Sequence, residues 1–488
     1  MRAHFIAALA AALLLGPAAG VVARVPREVL DLRRVATWTA EDGPSQIAPA
    51  GDVDGDGIGD IAISRCTTPG RRGRVWVVRG PFEPGRVKTA SAGPGFTITG
   101  AAEGDDACVL SMTPPGDVNG DGMDDLLVGA HSASQNERSA SGAVYVVFGK
   151  VDDDPVDLAD FDANTQGTAG YRVDGPSSQA LAGDDVAGIE DMNGDGRADF
   201  VVAAPFAGAA YVVFGQATTT PVDLATFDLN VQGPLGFRID TFLPESDDLF
   251  SVAAAGDFNG DATPDVVLGV IPLAHDSSGS AYVVFGKNDS LPVDTRMRSE
   301  GVLRIKGPDR GAAAGYAVAG GGDVNGDGLA DVVVGAPRLY SCCRGLAAVI
   351  FGRRESGQIS LAELRGEGFK IAPAQDRDVL GYSVASPGDV DGDGYDDVAA
   401  GAPGYRYRNR GYPGAAFVVY GKTSGRRVHT GRMDDEGFLV VGRDSHDTTG
   451  IYMGSPGDMN SDGVPDLVIS ATTGGRAYLL WLPRAAGR

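Results

Sequence analysis

A nine-residue acidic loop recurs seven times in this chain, and no other feature restricts its possible folds as tightly. It reads DVDGDGIGD at 52–60, DVNGDGMDD at 117–125, DMNGDGRAD at 191–199 and DFNGDATPD at 257–265. It returns as DVNGDGLAD at 323–331, DVDGDGYDD at 389–397 and DMNSDGVPD at 458–466. The copies start 65, 74, 66, 66, 66 and 69 residues apart. A near-constant long period marks a repeat architecture and outweighs the reading of any single segment.

Each unit carries four strand-like runs. One precedes the loop, as in GYSVASPGDV (381–390), and a second comes after it, as in DVAAGAP (397–403). A third reads GAVYVVFGK (142–150), GAAYVVFGQ (208–216) or GAAFVVYGK (414–422), and a fourth GYRVDG (170–175) or GFLVVG (437–442). Val, Ile, Phe and Tyr bounded by Gly indicate strands. Four strands in each of seven units predict an all-β, seven-bladed β-propeller of four-stranded antiparallel blades. Closing the ring leaves no stacked face exposed. The seventh unit stops after a third run at 476–482, while RVATWTAE (34–41) stands alone before the first loop. This N-terminal strand is expected to complete the last blade and cover its edge.

Why would a chain crowd acids beside strands? Hard cations take six to eight oxygens from alternate loop positions, so positions 1, 3, 5 and 9 read as side-chain ligands and position 7 as a backbone carbonyl. The expected Ca2+ ligands are Asp52, Asp54, Asp56, Ile58 and Asp60 in loop 1, and Asp117, Asn119, Asp121, Met123 and Asp125 in loop 2. Loop 3 offers Asp191, Asn193, Asp195, Arg197 and Asp199; loop 4 offers Asp257, Asn259, Asp261, Thr263 and Asp265. Loop 5 offers Asp323, Asn325, Asp327, Leu329 and Asp331; loop 6 offers Asp389, Asp391, Asp393, Tyr395 and Asp397. Loop 7 offers Asp458, Asn460, Asp462, Val464 and Asp466. The freely varying side chains at position 7 agree with a carbonyl ligand.

Position 6 is Gly in six copies and Ala262 in the fourth, so loop 4 is expected to be the weakest site. An EF-hand is excluded, because position 12 is apolar rather than a bidentate Glu. A plain Asp-Gly hairpin turn needs no acid at positions 1 or 9. The all-oxygen donor set disfavours zinc and copper. Up to seven structural Ca2+ would also offset much of the formal charge of −24. That charge argues against nucleic acid as a partner.

Met1–Ala23 has a basic start, a short apolar run and small residues, the pattern of a secretory signal. The expected domain is therefore 24–488, secreted and without a membrane span.

The units resemble FG-GAP repeats, the module of the integrin α-subunit N-terminal propeller. The likeness rests on Leu380-Gly381-Tyr382-Ser383-Val384 before a loop, Asp389–Asp397 as the loop, and Gly401-Ala402-Pro403 after it. It implies calcium on one face and ligands on the other, as in an extracellular binding or cell-adhesion module. Departures are Glu190 where the other units have Gly before the loop, and Ser461 at position 4 of loop 7. No inserted domain or leg region accompanies the units, so a heterodimer is not implied and a monomer is expected.

No catalytic motif emerges from His131, His275, His429 and His446. A grouping of His131, His275 or His446 with Asp105, Asp106, Asp247 or Asp248 would favour the alternative, an extracellular polysaccharide lyase or hydrolase. Solvated loop residues are the simpler reading. The segment 404–414 is more pointed: Tyr405, Arg406, Tyr407, Arg408, Arg410 and Tyr412 stand out in an acidic chain. Tyr and Arg make binding hot spots, and this set suits an extracellular protein or glycan ligand bearing carboxylates. Cys66 and Cys108 fall in adjacent units on that same face and are expected to form a disulfide. Cys342 and Cys343 are sequence neighbours of open redox state.

Overall fold

The structure is a computed structural model. It describes residues 29–32, 37–41, 46–65, 72–82, 85–88, 94–102, 111–229, 235–241, 248–272, 278–296, 300–338 and 344–482. The signal-like segment, Cys66, Cys108, Cys342 and Cys343 lie outside them.

Seven sheets account for nearly all regular structure. Blade 6 illustrates the pattern. Val384–Gly388, Asp397–Ala402, Ala415–Val419 and Gly437–Val441 succeed one another as antiparallel neighbours. The middle strands carry Val, Ala and Phe on both faces and are buried throughout. Strict inside–outside alternation is lost there because each blade is sandwiched between two others.

The blades form a seven-bladed propeller. Apolar clusters fill every seam between neighbours, and the seam between blades 7 and 1 is filled by Ile47, Ile61, Ile63, Val468 and Leu479. Each inner strand touches the next around the ring, and Met453–Gly454 touches Gln46–Gly51. The inner strands of all seven blades line a central channel of about 480 Å3.

The expectation of four-stranded blades needs correction, since every sheet has five strands. The fifth is a short strand from the next unit, lying parallel to the outer strand. Val222–Asp223 pairs with Gly170–Asp174 in this way, and Val428–His429 with Gly368–Ala372. Physically, the added strand occupies an edge that would otherwise present unpaired N–H and C=O groups. In the seventh sheet Thr37–Glu41 pairs antiparallel with Arg476–Leu480 and parallel with Gly85–Lys88. Val29–Asp31 adds to the outer strand of blade 6.

Inner strands end in a register shift just before the acidic loop, at Pro49/Gly51, Ala254/Gly256 and Gly320/Gly322 among others. Such bulges bend a strand end and re-aim the loop attached to it. A chain lacking residues 1–45 is expected to melt lower and to self-associate through the bared Arg476–Leu480 edge. Thermal melts and size-exclusion chromatography check this; unchanged melting and elution would mean that the edge needs no cover.

Candidate metal centres and ligand face

The acidic loops are built from the carboxylate of position 1. In loop 5, Asp323 Oδ1 accepts from the backbone N–H of Gly326 at 2.7 Å and Asp327 at 3.1 Å, and Oδ2 from Gly328 at 2.9 Å. Loops 2, 3, 4 and 6 repeat this three-donor clasp, for example Gly392, Asp393 and Gly394 on Asp389. Wrapping three successive N–H groups around one side chain requires left-handed backbone at positions 4 and 6. Gly326 and Gly328 adopt φ of 76° and 85°.

The three departures from Gly seen in the sequence keep the same backbone: Glu190 at 55°, Ala262 at 68° and Ser461 at 57°. The need at position 4 was missed in the sequence, although Gly stands there in six of the seven copies.

Position 9 is the second anchor. Asp125 Oδ2 accepts from Val118 N at position 2, and Oδ1 from Gly149 N beyond the third strand, both at 2.9 Å. The same double tie joins Asp60 to Val53 and Gly80, Asp331 to Val324 and Gly352, and Asp397 to Val390 and Gly421. In the seventh unit Leu482 supplies the second donor, at 3.3 Å. The Gly after the third strand is therefore part of the site, a role that the recurring Phe-Gly pair signalled. A Cβ on Gly149 would lie 2.6 Å from Asp124 O and 2.8 Å from Val53 O.

These position-9 carboxyls are fully buried, and burial raises their pKa despite the two N–H donors; nearby loop acids push further in the same direction. Asp125, Asp331 and Asp397 rise to about 8. Asp60, Asp199, Asp265 and Asp466 rise to about 7.

Asp52, Asp54 and Asp60 bring three carboxylate oxygens within 4.8 Å of one another, as do Asp389, Asp391 and Asp397. Elsewhere position 3 is Asn, and in loops 2, 3, 4 and 7 its amide leans on position 5, as Asn119 on Asp121 at 3.0 Å. Asp54 Oδ1 is buried without a hydrogen-bond partner. A buried acid facing two half-buried ones, an unmatched oxygen and an all-oxygen donor set fit a hard divalent cation. Two loops carry a cation of their own: Arg79 lies 3.4 Å from Asp54, and Arg197 lies 3.5 Å from Asp195.

At the opposite end of the strands, the 404–414 segment differs from expectation. Tyr405 and Tyr407 are buried in the seam between blades 5 and 6 and present no ligand surface. Tyr405 meets Phe417 edge-on at 5.3 Å, so its ring serves the core. The arginines are more accessible and are propped on rings. Arg406 lies 4.4 Å over Tyr412, while Arg408 and Arg410 lie 4.9 and 5.2 Å from the Tyr407 ring. Tyr412 neighbours His446 at 5.8 Å. Gln375 braces the segment through both the N–H and the carbonyl of Arg406.

His131 is buried rather than solvated. His275, Asp105, Asp106 and Asp247 lie outside the described residues, and the side chain of Asp248 is not described, so the possible His/Asp grouping gains no support.

FG-GAP repeats are recognised in this chain at residues 114–147, 314–361 and 380–419. Integrin alpha-V of Gallus gallus is 30% identical over 222 residues, covering 45% of this chain and 19% of the relative. Integrin alpha pat-2 of Caenorhabditis briggsae is 29% identical over 279 residues, covering 54% and 20%. Phosphatidylinositol-glycan-specific phospholipase D of Mus musculus is 28% identical over 208 residues, covering 40% and 23%. The matched stretch thus spans about a fifth of the length of these relatives.

This geometry has two measurable outcomes. Because the position-9 carboxyls sit above their ordinary value of 3.8, their contribution to stability is complete below that pH and is lost as pH rises through 7 to 8. In excess chelator the melting temperature is therefore expected to fall between pH 5 and pH 8, as scanning calorimetry would read. Separately, Ala262→Gly should stabilise by up to about 1 kcal/mol, the relief of left-handed strain less the entropy of Gly, and Gly328→Ala should destabilise comparably. Urea unfolding of both variants checks this.

Proposed function

We propose that this FG-GAP repeat propeller is a secreted binding module of the adhesion type, spanning 24–488 after removal of residues 1–23. Its loops hold up to seven structural Ca2+ through the five residues named for each. The observation that carries the reading is the buried position-9 aspartate, repeated in all seven units and tied by backbone N–H groups to the neighbouring strand. A cation there neutralises charge that burial makes costly and fastens the first strand of each blade to its second and third. No helix among the described residues is long and apolar enough to cross a membrane.

Ligand recognition belongs to the end opposite the calcium loops. Arg406, Arg408, Arg410 and Tyr412 form a cationic, aromatic-backed patch in a chain of net charge −24. Guanidinium groups held against rings lose little freedom when they grip a carboxylate. The ligand class is an acidic extracellular protein or glycan. The mouse relative is named for an enzyme, which keeps a hydrolytic role in an extracellular setting as the second reading.

Removing Ca2+ with EDTA at pH 7.5 is expected to lower the melting temperature by tens of degrees, since cation binding is linked to folding; an unchanged melt would refute the calcium assignment. A glycan and matrix-protein array, run with and without Ca2+, tests the patch. Arg406→Ala with Arg408→Ala and Arg410→Ala should reduce binding about ten-fold or more without moving the melt. Turnover of an arrayed glycan would establish the enzymatic reading instead.

A further inference from the structure

The acidic loops are joined to one another around the ring, and the joints are uneven. Asp124, at position 8 of loop 2, donates its N–H to Asp52 O of loop 1 at 2.9 Å. Its carboxylate Oδ2 accepts from Asp52 N, also at 2.9 Å. Asp396 of loop 6 repeats both bonds on Asp323 of loop 5, at 3.0 and 2.8 Å. Ala198 N donates to Asp117 O at 2.9 Å, and Ala330 N to Asp257 O at 3.1 Å.

Position 7 reinforces these joints. A Cβ on Gly326 would meet the Tyr395 ring at 2.4 Å, and one on Gly260 would meet Leu329 at 2.7 Å, so each of these side chains lies against position 4 of the preceding loop. The bonds link loop 1 to 2, 2 to 3, 4 to 5, and 5 to 6.

Between loops 3 and 4, and between loops 6 and 7, position 8 is Pro264 or Pro465, which has no N–H to give. Among the described residues no equivalent bond joins loop 7 to loop 1.

We propose that the loops act as two coupled cation-binding units, loops 1–3 and loops 4–6, with loop 7 separate; this rests on the calcium reading above. Position 1 of a loop offers its carboxylate as a ligand and its carbonyl as the acceptor of the next loop's joint. Position 8 lies between two ligand positions of its own loop. Ordering one loop therefore fixes the joint that positions its neighbour, and the second cation meets a loop already arranged. Asp124 and Asp396 act as positioning residues, since neither is a ligand in its own loop.

Hydrogen exchange of the full-length chain, monitored by mass spectrometry at graded free Ca2+, reads each loop separately. Loops 1–3 are expected to gain protection at one midpoint, loops 4–6 at a second, and loop 7 at its own. Asp124→Ala removes no ligand, yet should raise the midpoints of loops 1 and 2 by about five-fold or more and leave loops 4–6 unmoved. Pro264→Ala supplies the missing donor and should draw the midpoints of loops 3 and 4 together. Seven unrelated midpoints, or an Asp124→Ala shift spread equally over all loops, would overturn the coupling while leaving calcium binding intact. Protection by Ca2+ in no loop would overturn both.

Discussion

Each blade depends on a carboxylate placed where solvent cannot reach it. The aspartate at position 9 sits at the start of the second strand and ties the inner strand's exit to the end of the third. Burying such a group without compensation costs several kcal/mol, and two N–H donors offset only part of that. The residual cost is visible in the upward displacement of all seven carboxyls, to about 7 or 8. The strands supply the apolar seams that make the ring, while the loop end of every blade stays electrostatically incomplete. A bound divalent cation would meet that need without changing the hydrogen-bond frame, because each carboxylate oxygen that accepts an N–H retains a second lone pair.

The features legible in the sequence came from repetition. The spacing of the acidic loops specified seven units, and runs such as Ala143–Val147 and Ala415–Val419 are strands, with the clustering of acids at positions 1, 3 and 9 realised at Asp389, Asp391 and Asp397. The fifth strands were not legible, because Val156–Asp157, Val222–Asp223 and Val293–Asp294 are two residues long and carry no periodicity. The recurring Pro-Val-Asp at 155–157, 221–223 and 292–294 was their only mark. Tyr405 and Tyr407 were misplaced for a related reason. A Tyr in a polar segment reads as exposed, and only the packing of blade 5 against blade 6 reveals that both rings point inward.

The irregularities of the loops gather rather than scatter. Glu190 stands before loop 3, Ala262 and Pro264 lie in loop 4, and Ser461 and Pro465 lie in loop 7. Units 3, 4 and 7 border the junctions that lack an N–H joint among the described residues, namely 3–4, 6–7 and 7–1. Left-handed strain and a missing donor each weaken local order, by mechanisms that act independently. Their coincidence makes the 3–4 and 6–7 seams soft places in the loop layer, whereas loops 1–3 and loops 4–6 are tied loop to loop. The apolar seams there remain filled, with Ile189, Val201 and Val266 between blades 3 and 4 and Ala399, Leu467 and Leu480 between blades 6 and 7. The weakness is therefore confined to the loop layer and does not reach the sheets.

The two ends of the propeller answer to opposite demands. At the loop end the buried position-9 tie recurs in every blade, so side-chain variation is tolerated mainly at positions 7 and 8, where Leu329 and Tyr395 lean on the preceding loop. At the other end no common bond has to be repeated, and segments diverge in length and charge. Blade 6 carries an arginine-rich segment there, held in place by Gln375 and by tyrosines that serve the core. Recognition of a single acidic partner, as proposed above, would require such asymmetry, because seven equivalent blades would offer seven equivalent sites. The hydrogen-bonded loop end allows that asymmetry, since loops can diverge when the strands that carry them are already fixed.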